Sequence, residues 1–402
     1  MQKYYDLIVI GAGAAGLTAA ASVGRGGRSV LLIDKAVRPA RKVLISGGGK
    51  CNFSNKFVSA QHYVSANPHF CKSALAGFSY RDFTDQLDLA GIRWEERKDG
   101  KLFAFSSAEI HGFLLDKAQK AGCVFLFGIP NFDLQKENCF RLQCAAGTFL
   151  SENVLIASGG ISYPAVGATD IGYRLAERFG VNVIEPKPAL VGLNFDRGMK
   201  TDFSKLAGIS LPTRIKTLKK NIQGNLLFTH HGISGPAVLQ TSLYWKEGDP
   251  VEIDFLPQIK LEDVLKKRRA NKEKKRIDAV LNEYLPLRLV QRFTALLSGE
   301  DQRIPLSALS DKSISCLNEN INHCCFVPAF AGDWAKAEVT KGGVDVNALF
   351  SETMECRTVP GLYFAGEVVD VTGELGGFNL HWAWASGTAV GKAVLKKKAF
   401  NQ

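Results

Sequence analysis

Tyr5-Asp-Leu-Ile-Val-Ile-Gly11-Ala-Gly13-Ala-Ala-Gly16 leads into an Ala-rich segment over 17–23 and then into Ser29-Val-Leu-Leu-Ile33-Asp34. Leu7–Ile10 is a short apolar run without alternation, the pattern of a strand buried on both faces. Two such runs around a G-x-G-x-x-G turn and a helical segment predict strand, helix and strand within about thirty residues. Each glycine has its own task there. Gly11 permits the tight turn, Gly13 lets the backbone approach a pyrophosphate, and Gly16 lets helix and strand pack closely. The pyrophosphate is expected on the helix N-terminus, beside Ala14 and Ala15. Asp34, followed by Lys35, ends the second run, where an acid accepts from a ribose hydroxyl. Residues 7–24 are uncharged and long enough to suggest a membrane span or a signal peptide. The glycines and Asp6 favour the dinucleotide turn, and a soluble cytoplasmic protein is expected.

Working outward, the 402 residues are 46% hydrophobic and 22% charged, with 25 Phe and five Trp to bury. This excludes a mainly disordered chain and suggests two or three domains. The 39 glycines are clustered, which points to backbone-cradled ligands. Nine cysteines at irregular spacings in so long a chain read as reduced thiols. The formal charge of +11 permits attraction to nucleic acid without requiring it.

The predicted class is α/β. A Rossmann-like domain over 1–190 resumes over 336–402, interrupted by a mixed β/α insertion over 191–335. Val124–Phe127, Phe140–Cys144 and Thr148-Phe149 are expected to form a small β-meander. An apolar run over 153–157 then leads into Ser158-Gly159-Gly160. Inside the insertion a charged helical segment is expected over about 260–297, including a helix over 281–297.

Further motifs extend the cofactor surface. Arg41-Lys42 precede Ser46-Gly-Gly48-Gly49-Lys-Cys51-Asn52, where consecutive freed N–H groups form an anion nest. Gly366-Glu367-Val-Val-Asp370 follows an apolar run and resembles the second glycine motif of flavoproteins. Gly376-Gly377-Phe378-Asn379 opens the last helix, whose N-terminus stabilises negative charge on a reduced flavin. Ser158, Gly159, Gly160 and Asn131 complete the expected contacts. There is no second G-x-G-x-x-G, which favours one tightly held, non-covalent FAD.

The segments 41–52 and 366–380, with Phe228-Thr-His-His-Gly-Ile-Ser-Gly-Pro236 in the insertion, resemble the signatures of the BaiN/RdsA-type (YhiN-like) flavoproteins. The resemblance spans nearly the whole chain, and the motif in the insertion separates it from generic FAD enzymes. It implies a glutathione-reductase-type FAD domain carrying an inserted domain. It also implies reduction of an electron-poor carbon–carbon double bond, in bile-acid intermediates or in a uracil of large-subunit ribosomal RNA. The family pattern has Gln at the position of His381.

In such a reaction FAD would be reduced by NADPH or NADH, and a side chain would supply a proton. Cys51 and His230 are the expected donors. Two other readings stay open: a small-molecule enoyl or steroid-type reductase or oxidase, and an RNA-binding factor with structural or redox-sensing FAD. Cys139 and Cys144 have redox-pair spacing but lie in the expected meander. Cys324-Cys325 read as free thiols. His230-His231 lacks neighbours that would complete a metal site, so no metal is expected. Between 260 and 276 stand nine basic and three acidic residues. Lys266, Lys267, Arg268, Arg269, Lys272, Lys274, Lys275 and Arg276 read either as a solvated helix face or as a phosphate-contacting arm for RNA.

Overall fold

In the computed structural model, which describes residues 3–196 and 203–397, the apolar runs become one parallel sheet. Its order is Leu362–Phe364, Val154–Ile156, Leu7–Ile10, Val30–Asp34 and Val124–Phe127. Leu7–Ile10, Val154–Ile156 and Leu362–Phe364 are buried throughout, which is why their sequences do not alternate. From Leu7–Ile10 the chain adds strands outward on one side, then returns to add Val154–Ile156 and Leu362–Phe364 on the other. The order therefore reverses between Leu7–Ile10 and Val154–Ile156, and open α/β sheets bind ligands at the carboxyl end of such a reversal.

Two local readings change. The N-terminal run breaks at Asp6, which accepts from the Ser29 amide at 2.8 Å and pairs with Arg28 at 3.2 Å. Lys3–Tyr5 consequently joins a different sheet. Val124–Phe127 is the half-exposed edge of the parallel sheet and not part of the meander. An apolar run of four looks the same in either place; its pairing with Val30–Asp34 decides. The meander consists of Phe132–Lys136, Phe140–Cys144 and Gly147–Ser151, with Lys3–Tyr5 parallel to the last.

The chain divides into two compact units, Met1–Pro188 with Glu338–Gln402, and Ala189–Ala337. In the first, the helices Ala14–Arg25 and Phe378–Lys396 pack so closely that a Cβ on Gly387 would lie 2.5 Å from the Ala15 carbonyl. The second has a seven-stranded sheet whose described pairings are all antiparallel. Its centre is built from rings: Phe228 stacks on Phe203 at 5.9 Å and on Phe255 at 6.0 Å.

The expected helix over 281–297 is two pieces, Ile277–Leu281 and Leu287–Thr294. Pro286 is the reason: it cannot continue a helix from within, but it can precede one. The cysteines among the described residues are free thiols. No described helix is long and apolar enough to cross a membrane.

Candidate functional site

At the reversal point Gly11 adopts φ +106°, and a Cβ there would lie 2.4 Å from the Ala157 carbonyl and 2.9 Å from Ser158 Cα. The first turn is thus pressed against the Ser158-Gly159-Gly160 segment. The helix begins after Gly13 with no side-chain cap and no acid in its first turn. Its leading N–H groups have no side chain competing for them, which fits a bound phosphate. Asp34 holds the turn in shape: Oδ2 accepts from the Ala12 amide and Oδ1 from the Ala36 amide, both at 2.7 Å. A carboxylate has about four lone-pair sites, so capacity remains for a ribose hydroxyl. Lys35 is exposed beside it. Asn131 is exposed too, two residues beyond Ile129, whose amide donates to the Asp34 carbonyl at 3.0 Å.

The other glycine motifs come from distant parts of the chain. Gly47, Gly48 and Gly49 are exposed and left-handed, and a Cβ on Gly48 or Gly49 would meet nothing. The strand Asn52–Asn55 follows, and Gly377 sits so close that a Cβ would lie 2.3 Å from the Ser54 carbonyl and 2.8 Å from Asn52 Oδ1. Asn55 Nδ2 donates to the Gly376 carbonyl at 3.1 Å, and Trp384 Nε1 to the Phe53 carbonyl at 2.9 Å. Gly366 is fixed by Ser386 Oγ and Trp382 Nε1, each at 3.0 Å, with Ala15 beside it. The motifs at 11–16, 46–52, 366–370 and 376–379 therefore belong to the first unit and are tied together through the last helix. A set of bare backbone amides around one sheet reversal fits an elongated dinucleotide.

Several side chains expected on the cofactor are occupied elsewhere. Lys42 Nζ bonds Glu367 Oε2 at 2.8 Å and Ser162 Oγ at 2.7 Å. Glu367 also accepts from the Thr340 amide at 2.9 Å. Burial pushes the Glu367 carboxyl up, but Lys42, the Thr340 amide and Ser162 outweigh it and hold it below its ordinary range. Desolvated charges need partners, and these two satisfy each other. Asn379 is likewise engaged, exchanging hydrogen bonds with Gly373 at 2.8 and 2.9 Å. Asp370 accepts from the Ala66 amide at 2.8 Å, and burial pushes its carboxyl up to about 6. Arg41 is exposed, with one long contact of 3.5 Å to the Ala165 carbonyl.

The expected proton donors fare differently. Cys51 is completely buried, and desolvation pushes its thiol up to about 12. Cys51 thus packs within the core of the first unit, whereas a proton donor has to reach its substrate. His230 is exposed at the turn following Asn221–Phe228, where Thr229 and Gly232 close the chain. His381 is buried: Nε2 faces the Phe78 carbonyl at 3.1 Å and Nδ1 the Ser54 hydroxyl at 2.8 Å. Burial lowers its pKa to about 4, so it is a neutral tautomer with Nε2–H donating.

Sequence reasoning missed His62 and Glu374, which pair at 2.9 Å (Nδ1 to Oε2) one turn before the last helix. Neither lies in a recognisable motif. They are neighbours only because Tyr63–Val64 pairs antiparallel with Thr372–Gly373.

In the second unit the basic run is largely neutralised. Arg268 bonds Glu283 at 2.7 Å and Glu273 at 3.2 Å, and Arg269 bonds Asp311 at 2.5 Å and the Leu309 carbonyl at 2.9 Å. Lys266, Lys275 and Arg276 have surface partners in Glu262, Glu283 and Asp278. Among the described residues Lys267, Lys272 and Lys274 make no ion pair. Of the two readings of the run, a solvated face or a phosphate-contacting arm, Arg268 and Arg269 enter neither freely, since their guanidinium groups are bonded within the unit.

Against known proteins, residues 5–393 match the HI0933-like protein Rossmann domain. The chain is 42% identical over 398 residues to the ribosomal RNA dihydrouridine synthase of Escherichia coli K12, covering 98% of this chain and 99% of that protein. It is 40% identical to the protein of the same name from Haemophilus influenzae, over 99% of this chain and 100% of that one. It is 28% identical to the 3-dehydro-bile acid delta(4,6)-reductase of Clostridium scindens, over 97% and 98%. Among solved structures, a quinol-fumarate reductase with menaquinol superposes with TM-score 0.50 at 15% identity, covering 98% of this chain and 71% of that one. That last likeness speaks to the fold alone. The chain belongs to the HI0933-like Rossmann-domain family.

Proposed function

We propose that the protein is an FAD-dependent oxidoreductase that reduces a uracil carbon–carbon double bond in large-subunit ribosomal RNA to dihydrouridine, with NADPH or NADH as donor. The observation that carries the reading is the 42% identity to a ribosomal RNA dihydrouridine synthase, which runs through both units and 99% of that relative's length. The similarity to a bile-acid reductase supports the shared part of the chemistry, addition of hydrogen across a conjugated double bond. A cytoplasmic location follows from the substrate.

The chain's own groups divide the work. The amides following Gly13 hold the pyrophosphate, Asp34 takes the adenosine ribose, and Gly47–Gly49 with Ser158–Gly160 line the cofactor. Asp370 and the amides at Gly376–Phe378 lie toward the flavin. The Lys42–Glu367 pair keeps that floor rigid without spending a net charge. Bound FAD supplies two-electron storage and hydride transfer, chemistry that no side chain provides. The uracil must leave its stack to be reached. Within the basic run, Lys267, Lys272 and Lys274 are exposed and, among the described residues, make no ion pair, so they are available to phosphates.

Two measurements test this. Acid or heat should release free FAD from the purified protein. Digested ribosomal RNA from a strain lacking the gene should lack one dihydrouridine, restored by the wild-type gene. Intact dihydrouridine in that strain, with steroid dienones reoxidising the reduced protein, would move the assignment to a small-molecule reductase.

A further inference from the structure

We propose that His62, oriented by Glu374, is the proton donor of the double-bond reduction; the proposal rests on the reductase reading above. Adding hydrogen across a polarised double bond takes a hydride at one carbon and a proton at its neighbour. The chain must therefore present an acid beside the flavin motif. Near Gly376–Phe378 the alternatives are closed, Asp370 among them: it is buried and accepts from the Ala66 amide at 2.8 Å. Cys51 and His381 are buried, and His381 has both ring nitrogens engaged. Tyr63 is buried, and its hydroxyl donates to the Phe378 carbonyl at 2.9 Å. Lys101 lies against Gly376 and pairs with Asp99 at 3.6 Å.

His62 differs from all of these. Its Nδ1 donates to Glu374 Oε2 at 2.9 Å, and its ring stacks on Phe378 at 4.6 Å with planes 20° apart. The acid is nearly enclosed at 7% side-chain exposure, whereas the histidine keeps 20%. The remaining nitrogen, Nε2, has only a marginal contact at 3.5 Å, with Gln61 Nε2.

The pair is rigidly built. Its backbone continues the two-stranded ladder, with the Glu374 amide donating to the His62 carbonyl at 2.9 Å. The Asn379 amide clamps the Gly373 carbonyl at 2.9 Å. A carboxylate on Nδ1 fixes the orientation of the ring and leaves Nε2 without a strong partner: the arrangement of a general acid.

In the step, the π bond breaks. One carbon takes hydride from the reduced flavin, which is oxidised, and the other takes the proton from His62 Nε2. The neutral ring keeps its Nδ1–H on Glu374 and regains a proton from water. Glu374 is a positioning residue and does not touch the substrate.

The test uses FAD-loaded wild type, His62→Ala, His62→Gln and Glu374→Gln, reduced anaerobically. Each is mixed with an unmodified large-subunit RNA transcript or with a steroid dienone. FAD affinity and visible spectrum should be unchanged in both His62 variants, and nicotinamide should still reduce the flavin. Reoxidation by the acceptor should slow by about 100-fold or more in both. Imidazole should restore it several-fold in His62→Ala, where it fits the vacated stack on Phe378. Glu374→Gln should slow reoxidation less. Wild-type reoxidation rates in His62→Gln, or a slow, folded His62→Ala that imidazole does not rescue, would overturn the proposal alone. A wild type whose reduced flavin neither acceptor reoxidises would overturn the reductase reading, and the proton donor with it.

Discussion

Two regions of this molecule carry groups of the kind that bind phosphate, and those groups are of opposite kinds. The glycine turns of the first unit offer backbone N–H groups: the first helix starts without a side-chain cap, and Gly48 and Gly49 are bare. The basic run of the second unit offers side chains, and most are already bonded to Glu262, Glu273, Glu283, Asp278 or Asp311. Counting charges in a sequence overstates what a fold leaves available, because acidic residues from other elements cancel them. Counting glycines in a turn does not, because nothing in the side-chain inventory can occupy an amide that no side chain reaches.

The comparison breaks most sharply at Gly11. A methyl there would lie 2.4 Å from the Ala157 carbonyl at φ +106°. Left-handed strain and overpacking together should cost about 2–5 kcal/mol of stability, seen as a lower urea midpoint. An unshifted midpoint would mean that the turn relaxes freely and that its shape is not set by packing.

Next is Asp34→Ala, which removes the proposed ribose acceptor and also releases the Ala12 and Ala36 amides. FAD affinity should fall by about 1–3 kcal/mol, measured by titrating apoprotein with FAD. Equal affinity would place the ribose contact elsewhere.

On the basic side, Lys267, Lys272 and Lys274 replaced together by Gln should flatten the salt dependence of RNA binding. The slope of log affinity against log salt should decrease by up to about two units, at roughly 0.7 per single-strand phosphate contact. Arg268→Gln should leave that slope alone, because its guanidinium is committed to Glu283 and Glu273. If Arg268→Gln changes the slope as much as the triple variant, the ion pairs open on binding and the contrast between the regions disappears.

The smallest effect distinguishes the regions by pH. His381, beneath the second glycine segment, is held by burial at about 4, below its ordinary 6.5. The folded state therefore binds fewer protons, and its contribution to stability is complete above 6.5 and lost as pH falls toward 4. Glu283 is held down to about 2 by its hydrogen bonds to Arg268 and Lys275, so the basic network keeps its charge pairs until far lower pH. Asp370, raised to about 6 by burial, acts in the other sense: its contribution is complete below 3.8 and lost as pH rises through 6. The comparison of wild type with His381→Gln isolates the histidine, since Gln can still donate to the Phe78 carbonyl and accept from Ser54. The variant should lose less stability between pH 6.5 and 4, and parallel profiles would show that the ring carries no acid sensitivity.

Much of the fold was legible because its signals are local. The buried runs at 7–10 and 30–33 and the glycines between them announce strand, turn and helix through period and backbone freedom alone. The segments 41–52, 228–236 and 366–380 together carried the family resemblance. Val124–Phe127 was misplaced because four apolar residues fit an edge strand and a meander equally well, and only the strand beside them chooses. The helix over 281–297 was overdrawn because its periodicity continues past Pro286, although its backbone cannot.

By itself, then, the sequence determined the α/β class, the dinucleotide turn and the family, since these rest on residues close together in the chain. Tertiary structure alone decided how the polar side chains are spent. It turned Lys42 and Glu367 onto each other, buried Cys51, tied Arg268 to Glu283 and set His62 against Glu374. The reason is physical. The state of a polar group depends on its desolvation and its partner, and here the partners arrive from strands and helices remote in sequence.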